Sequence, residues 1–262
     1  MELEFGNLSI QLTKELNSTT KKEFGIYFTP NTIIKQIVNF VFQYNPNIKS
    51  ILEPSCGSCE FIIYIDNNYY NNVNLIYGIE LHKHIFKEIC NLKFYTKVYL
   101  SNDNFLSMDF EEKFDLIIGN PPYFVISKKD IDKKYSNNYL IEGRPNIYVI
   151  FILKAIELLN DNGIIAFVLP RNFLNCLYYN SIREFILVNF KILQITINES
   201  NSLGNKAERL GNNNSKFMDT DQEICTALLD LACPLPAASS QPLCASGHAG
   251  HGAIIPPSPK YL

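Results

Sequence analysis

The feature that most restricts the fold is a repeated alternation of short apolar runs with helical periodicities. The runs are Ser50–Glu53, Leu75–Ile79, Lys97–Leu100, Phe114–Ile118, Ile164–Leu169 and Ile192–Ile197. Brief, mostly apolar segments of this kind suit strands buried on both faces. Helices fit between them near Cys59–Tyr64, His82–Asn91, Asn146–Asn160 and Leu177–Val188. The third places Ile147, Ile150, Phe151, Ala155, Leu158 and Leu159 on one face and is closed by Asn160-Asp161-Asn162-Gly163. Another helix starts at Thr29-Pro30, where proline suits the first turn, and repeats Ile33, Ile34, Ile37, Val38, Val41 and Phe42 at helical spacing. Strand and helix in alternation predict an α/β fold: a doubly wound, mostly parallel sheet with helices on both faces.

At 262 residues the chain has room for one large domain with an appendage. Its apolar runs are far shorter than the ~20 residues of a membrane helix, so no membrane partner is expected. The acidic start Met1-Glu2-Leu3-Glu4 lacks the apolar stretch of a signal peptide. Seven scattered cysteines read as reduced thiols, which places the chain in the cytoplasm or another reducing compartment. A net charge of −3 excludes a polycation yet leaves a local basic face possible. Composition then breaks: residues 1–200 hold two alanines and residues 201–262 hold eight. The last thirty residues are dense in Pro, Ala, Ser and Gly, which disfavours helix and central strand. The expected organisation is a leader over 1–20, a catalytic domain over 21–231 and a disordered tail over 232–262. No metal site is expected: His248 and His251 have only Cys233 and Cys244 near them, at irregular spacing.

Ligands of such a sheet sit beyond the carboxyl ends of its strands. The first strand ends in Glu53-Pro54-Ser55-Cys56-Gly57-Ser58-Cys59-Glu60-Phe61, a small-residue turn beside a carboxylate. The second ends in Glu80, an acid placed to bridge ribose hydroxyls. The third ends in Asn102-Asp103-Asn104-Phe105, and the fourth runs into Asn120-Pro121-Pro122-Tyr123. Two carboxylates around a tight turn, with no lysine, point away from phosphate. They suit a ligand with a cationic amino-acid end and a free ribose, and S-adenosylmethionine has both. The tetrapeptide suits chemistry on an amine: the Asn120 amide oxygen and the Pro121 carbonyl can accept both protons of one NH₂ group. That draws the nitrogen toward sp³ and aims its lone pair without a strong base. Pro121 and Pro122 stiffen the acceptors, and Tyr123 offers a face for stacking.

With these motifs in this order, the chain resembles the S-adenosylmethionine-dependent N6-adenine DNA methyltransferases of the γ motif order, over roughly residues 20–198. Lys22–Pro30 resembles their N-terminal cofactor motif, and Glu53–Phe61 their first-strand motif. Glu80 resembles the ribose acid, Asn102–Phe105 the adenosine-edge motif and Asn120–Tyr123 the catalytic motif; Asn146–Leu159, Asn162–Pro170 and Arg171–Leu187 match later ones. The resemblance implies a Rossmann-like class I methyltransferase fold, with DNA as substrate and S-adenosylmethionine as cofactor. It implies cofactor contacts from Thr29, Pro30, Glu53, Ser55, Cys56, Gly57, Glu80, Asp103, Asn104 and Phe105, the last packing on adenine. A flipped-out target base would be held between Tyr123 and Phe173, with Phe or Trp tolerated at position 123.

The chain departs from the family at Gly57-Ser58-Cys59, where a second glycine is usual, and at Asn104-Phe105, where Asp-Phe is usual. It shows no C-terminal recognition domain, so recognition is expected from a missing segment or a separate specificity subunit. A last antiparallel strand is expected near Thr226–Leu231. Alternatives are a protein-glutamine methyltransferase, which shares Asn-Pro-Pro-Tyr, and a remnant that only binds cofactor. Cys56-x-x-Cys59 also fits a thioredoxin-type turn. Lys128, Lys129, Lys133, Lys134 and Arg144, interleaved with Tyr135 and Tyr139, make the 124–145 segment either a nucleic-acid contact or a solvated loop. Glu60, His82 and His84 are placed on solvated helix surfaces.

Overall fold

The computed structural model describes residues 4–136, 138–141, 143, 145–198 and 224–230. The remaining positions include Arg144, the whole 199–223 stretch, Leu231 and the 232–262 tail with His248 and His251, so those expectations lie outside the described residues.

The chain opens with α1 (Asn7–Glu15), α2 (Ser18–Phe24) and α3 (Asn31–Tyr44). The alternating part follows: β1 (Ser50–Glu53), α4 (Glu60–Tyr69), β2 (Leu75–Ile79), α5 (Lys83–Ile89), β3 (Val98–Ser101) and β4 (Phe114–Gly119). It continues with the short α6 (Lys133–Ser136), then α7 (Ile147–Glu157), β5 (Leu159–Pro170), α8 (Asn180–Asn189), β6 (Lys191–Asn198) and β7 (Ile224–Asp230). The sheet order is β3-β2-β1-β4-β5-β7-β6. Every pairing from β3 to β5 is parallel, and β7 runs antiparallel between β5 and β6. The expected last antiparallel strand is therefore present over Ile224–Asp230.

Alternation along the strands divides the core into two layers, as a doubly wound sheet requires. Ile51, Leu116, Ile118, Ile164, Ala166 and Val168 pack with α3 and α4 on one face. Leu52, Ile117, Ile165, Phe167 and Leu169 pack with α7 and α8 on the other. Phe114 joins that second layer because the register slips between Phe114 and Leu116. A smaller cluster of Phe5, Leu12, Leu16, Phe28 and Ile85 seats α1 against the sheet's ligand-facing end. The stretch expected as a leader is thus largely helical and packed.

Two boundaries shift from expectation. The helix expected over Asn146–Asn160 ends at Glu157, and β5 starts at Leu159, so the polar Asn160-Asp161-Asn162-Gly163 run lies inside a strand. Asn162 takes a left-handed φ of 65° there, and Asn160 bonds the Asp115 carboxylate at 2.7 Å, matching the two strands' irregular entry. The Leu177–Val188 helix instead divides into a 3₁₀ turn over Leu177–Tyr179 and α8.

Candidate active site

The winding direction reverses between β1 and β4, and the cleft beyond their carboxyl ends is where such a sheet binds ligands. Glu53 closes β1 there. Its side chain is buried, and one carboxylate oxygen, Oε2, has no hydrogen-bond partner. Burial first, and then the nearby Cys59, Glu60 and Glu80, push this carboxyl well above the ordinary range. A carboxylate so placed is costly unless a cation meets it.

The turn after β1 is pinned from two sides. Cys56 N–H donates to Ile79 O at 2.8 Å, carrying the β1–β2 pairing past the strand ends. Gly57 has φ +51°, a conformation glycine adopts without strain, and its N–H donates to Glu80 Oε2 at 2.9 Å. The other Glu80 oxygen accepts from His82 N–H at 2.6 Å. Burial raises the Glu80 pKa to about 7 despite these two bonds. Asn102 donates to the Glu80 carbonyl at 2.7 Å and fixes the loop carrying the acid. Thr29 and Pro30 are buried where α3 begins, and the Phe28 ring would touch a Cβ placed on Gly57 at 3.5 Å. Of the residues named from the sequence, this turn brings Gly57 against the Glu80 carboxylate and Cys56 against the end of β2, with Glu53 at the end of β1 and Phe28, directly before Thr29 and Pro30, beside Gly57.

Asn120 sits where β4 ends. Its Nδ2 donates to the Tyr27 carbonyl at 2.8 Å, which orients the amide and leaves Oδ1 as the acceptor. Ser55 Oγ donates to the Asn120 carbonyl at 3.1 Å, linking the β1 turn to the tetrapeptide. Pro121 is buried and Pro122 partly so. The Tyr123 hydroxyl lies against both Asn120 Oδ1 and the Val168 carbonyl, the latter at 2.9 Å.

Five of the expected contact residues are placed as follows. Tyr123 is only 8% exposed, and Tyr27 stacks on it at 5.8 Å between centroids and 23° between planes, so it does not stand as an open face. Phe173 is buried and does not face Tyr123 across an empty slot: Tyr148 meets both rings edge-on, at 6.1 and 6.0 Å. Phe105 lies in the core against Phe151 at 5.0 Å instead of presenting itself to a ligand. Asn104 Oδ1 is committed to Leu106 N–H at 3.0 Å, and Asp103 is exposed with the Ser101 hydroxyl as its partner.

Other placements also shift. Glu60 is half-buried and accepts from Gly6 N–H at 2.9 Å and from Ser9 Oγ, so it anchors α1 instead of facing solvent. His82 is partly buried with its ring edge-on to Phe24 at 5.0 Å, whereas His84 is exposed and pairs with Glu15 at 2.9 Å. In the 124–145 segment Ile131, Tyr135, Leu140 and Ile141 are core residues, and Tyr135 bonds Glu157 at 3.1 Å. Cys56 and Cys59 are both buried thiols, and burial pushes Cys56 up, which suits packing better than redox chemistry. Among the described residues no group of three or more His, Cys, Asp or Glu side chains could hold a metal ion, and no helix is long and apolar enough to cross a membrane.

Residues 52–203 match the model of the Eco57I restriction-modification methylase family, which covers more than half of the chain. The chain belongs to this family. It is 32% identical to the modification methylase CviBIII of Paramecium bursaria Chlorella virus NC1A, over 86% of this chain and 55% of that protein. A class I S-adenosylmethionine-dependent methyltransferase from Listeria monocytogenes superposes with a TM-score of 0.57 at 16% identity, covering 81% of this chain and 61% of that one. The type IIG restriction endonuclease BpuSI superposes with a TM-score of 0.63 at 16% identity, covering 86% and 28%. The fold is thus that of class I methyltransferases, and the chain spans about half the length of the curated relatives it matches.

Family membership agrees with the Asn-Pro-Pro-Tyr motif and the acid-flanked turn. What the motifs did not reveal are Tyr27, Tyr148 and Leu81. Leu81 is 53% exposed directly after Glu80, and Asn102 Nδ2 donates to its backbone carbonyl at 3.1 Å. The signal for Leu81 was its place beside the acid; for the two tyrosines there was none beyond membership of the quoted motifs.

Proposed function

We propose that this chain transfers a methyl group from S-adenosylmethionine to the N6 amine of an adenine in DNA, as the catalytic part of a modification methylase. The observation that carries this reading is the Asn120 amide, whose nitrogen is held by the Tyr27 carbonyl and whose oxygen, accepting from the Tyr123 hydroxyl with one lone pair, keeps the other for an amine. Bound S-adenosylmethionine supplies an electrophilic methyl group on a positively charged sulfonium. The orphaned Glu53 oxygen suits the ammonium of its amino-acid end. Glu80, whose two oxygens each retain a second lone pair beyond the backbone bonds, suits the ribose hydroxyls. Leu81 takes the role of apolar cover for the adenine that Phe105, buried in the core, does not fill. Asn120 Oδ1 and the Pro121 carbonyl accept the two amine protons of the target and strengthen its lone pair. The base reaches them only outside the duplex stack, on the Tyr123 ring. DNA recognition would then fall to a further domain or a separate specificity subunit, in keeping with a chain that spans about half the length of its curated relatives.

The test is Asn120→Ala with labelled S-adenosylmethionine and a pool of unmethylated DNA, beside a Gly-Gly-Gln peptide. The wild-type chain should label adenine in DNA and leave the peptide unlabelled. The variant should lose about 10²–10³-fold in transfer, the usual effect of removing one positioned hydrogen-bonding group. Cofactor affinity should stay within about twofold, since Asn120 faces the amine. Adenine methylation by the variant at the wild-type rate overturns the mechanism, and label in the peptide overturns the substrate.

A further inference from the structure

The turn that carries Gly57 holds a backbone conformation that its own residues do not favour. Cys59, immediately before α4, has φ +63°, a left-handed geometry that an L side chain keeps only where its surroundings enforce it. Its peptide groups are used in that geometry: the Cys59 N–H donates to Cys56 O at 2.7 Å, and the Cys59 carbonyl accepts from Ile63 N–H at 2.8 Å. The residues on either side of it, Ser58 and Glu60, are both tied to α1 through one hydroxyl. Ser9 Oγ donates its single proton to the Glu60 carboxylate, so in the 2.7 Å contact between Ser9 Oγ and Ser58 Oγ it is Ser58 that donates. Ser9 is 0% and Ser58 2% exposed, so neither hydroxyl can turn to solvent instead. The start of α1 is fastened as well: Gly6 N–H reaches the same Glu60 oxygen at 2.9 Å, and the Glu4 carbonyl accepts from Asn31 N–H at 2.8 Å where α3 begins.

We propose that Ser9 is a positioning residue for the cofactor: its hydroxyl, bonded on both sides of Cys59, holds the β1 turn in the shape that presents Gly57 to Glu80. This rests on the reading of the turn and Glu80 as the S-adenosylmethionine site. Gly57 lies two residues before Cys59, and its N–H is donated to Glu80 Oε2 at 2.9 Å. A relaxation of Cys59 out of the left-handed region redirects the Ser58 and Gly57 peptides and takes that donor away from the carboxylate. Glycine at position 59 would adopt the same φ without strain. With cysteine there, the restraint comes from outside the turn, and α1 supplies it. Ser9 touches neither cofactor nor base and acts through Ser58 and Glu60 alone.

The test is a double-mutant cycle between Ser9 and Cys59, read as the affinity of the full chain for S-adenosylhomocysteine by calorimetry. In the wild-type background Ser9→Ala should weaken binding about three- to tenfold, the scale of one lost buried hydrogen bond. In a Cys59→Gly background the same change should alter affinity by less than about twofold, because glycine keeps the shape of the turn without help from α1. A general loss of packing would instead weaken binding equally in both backgrounds. Ser58→Ala cuts the same link from the side of the turn and should repeat the pattern; it replaces Ser9→Ala if the denaturant midpoint shows that variant to be unfolded. Unchanged affinity in Ser9→Ala, or an equal loss in both backgrounds, overturns the positioning role alone. A wild-type chain that binds no S-adenosylhomocysteine removes the cofactor reading itself, and the role of Ser9 falls with it.

Discussion

At the scale of single residues, Glu80 carries the clearest electrostatic consequence. Burial lifts its pKa to about 7 in the folded chain, while the unfolded chain returns it to about 4.3. A carboxyl raised on folding binds its proton more tightly in the native state, so its contribution to stability is full below the unfolded value. That contribution is lost as pH rises through about 7, and amounts to about 4 kcal/mol across the window. Urea unfolding at pH 5 and pH 8 should show Glu80→Gln gaining stability relative to wild type as pH rises. The ribose role runs the opposite way: hydroxyl groups favour the ionised form, so S-adenosylmethionine affinity should fall as pH drops below about 7. Glu80→Ala should weaken binding by about 1.5–3 kcal/mol at pH 8. A flat affinity profile, or unchanged affinity in the alanine variant, removes Glu80 from the ribose site. Tyr123 also differs from a pure stacking residue. Its one hydroxyl proton is shared between Asn120 Oδ1 and the Val168 carbonyl. Tyr123→Phe should therefore lower stability by about 1 kcal/mol in denaturant titrations while keeping most of the turnover, because the ring remains. Loss of turnover comparable to Asn120→Ala would assign the hydroxyl a chemical role.

Between residues and the whole stand the elements, where the sequence was most legible and also most deceptive. The inner strands β1, β4 and β5 were readable because both of their faces are buried, which leaves an apolar run that no exposed helix would carry. The ends of β1, β2 and β4 were readable for a related reason: a cleft that must hold a ligand needs acids, glycine and rigid proline at the points where strands stop. Lys154 was not readable. It sits on the apolar α7, yet its ammonium is buried and donates to the Phe105 carbonyl at 2.7 Å and to the Met108 carbonyl. Burial lowers its pKa, and its ammonium also lies 5.1 Å from the Phe105 ring centre. Phe105, expected at the adenine, is thereby pulled inward with its loop. No periodicity announces such a bond, because its partners lie nearly fifty positions away. Lys154→Met keeps the stem and removes the donors, leaving two carbonyls to be satisfied. It should cost about 2–4 kcal/mol in denaturant midpoints converted to free energy. A loss below about 0.5 kcal/mol would mean that the β3–β4 connection does not depend on this lysine. Tyr27 and Tyr148 were hidden in the same way: each acts through a ring seated on a distant segment, and single-chain patterns report periodicity, not partners.

On the scale of the whole molecule, the proposed activity raises the question of how much of a nucleic acid these residues could hold. The 124–145 segment is drawn into the second core layer by Ile131, Tyr135, Leu140 and Ile141. Its lysines are correspondingly occupied in part. Lys128 Nζ donates to the Ile141 carbonyl at 3.2 Å, and Lys134 pairs with Glu157. Lys129 and Lys133 stand exposed, and Tyr139 is 73% exposed beside them. Phosphate contacts dominate the affinity of proteins for DNA, and each contact adds about −0.9 to the slope of log K against log salt. With two exposed lysines here and a few cations elsewhere, this chain alone should bind duplex DNA with a slope of about −2 to −4. Specific readout buries about 1,000–2,500 Å² of protein surface, more than this one segment presents, so affinity should differ little between unrelated duplexes. Fluorescence anisotropy of two unrelated labelled duplexes between 50 and 200 mM salt measures both quantities. A slope steeper than about −7, or a hundredfold preference for one duplex, would show that this chain carries a recognition surface of its own. Shallow slopes and equal affinities would place sequence recognition on another domain or subunit, with the cleft between Glu53 and Asn120 left to do chemistry on whatever base is delivered to it.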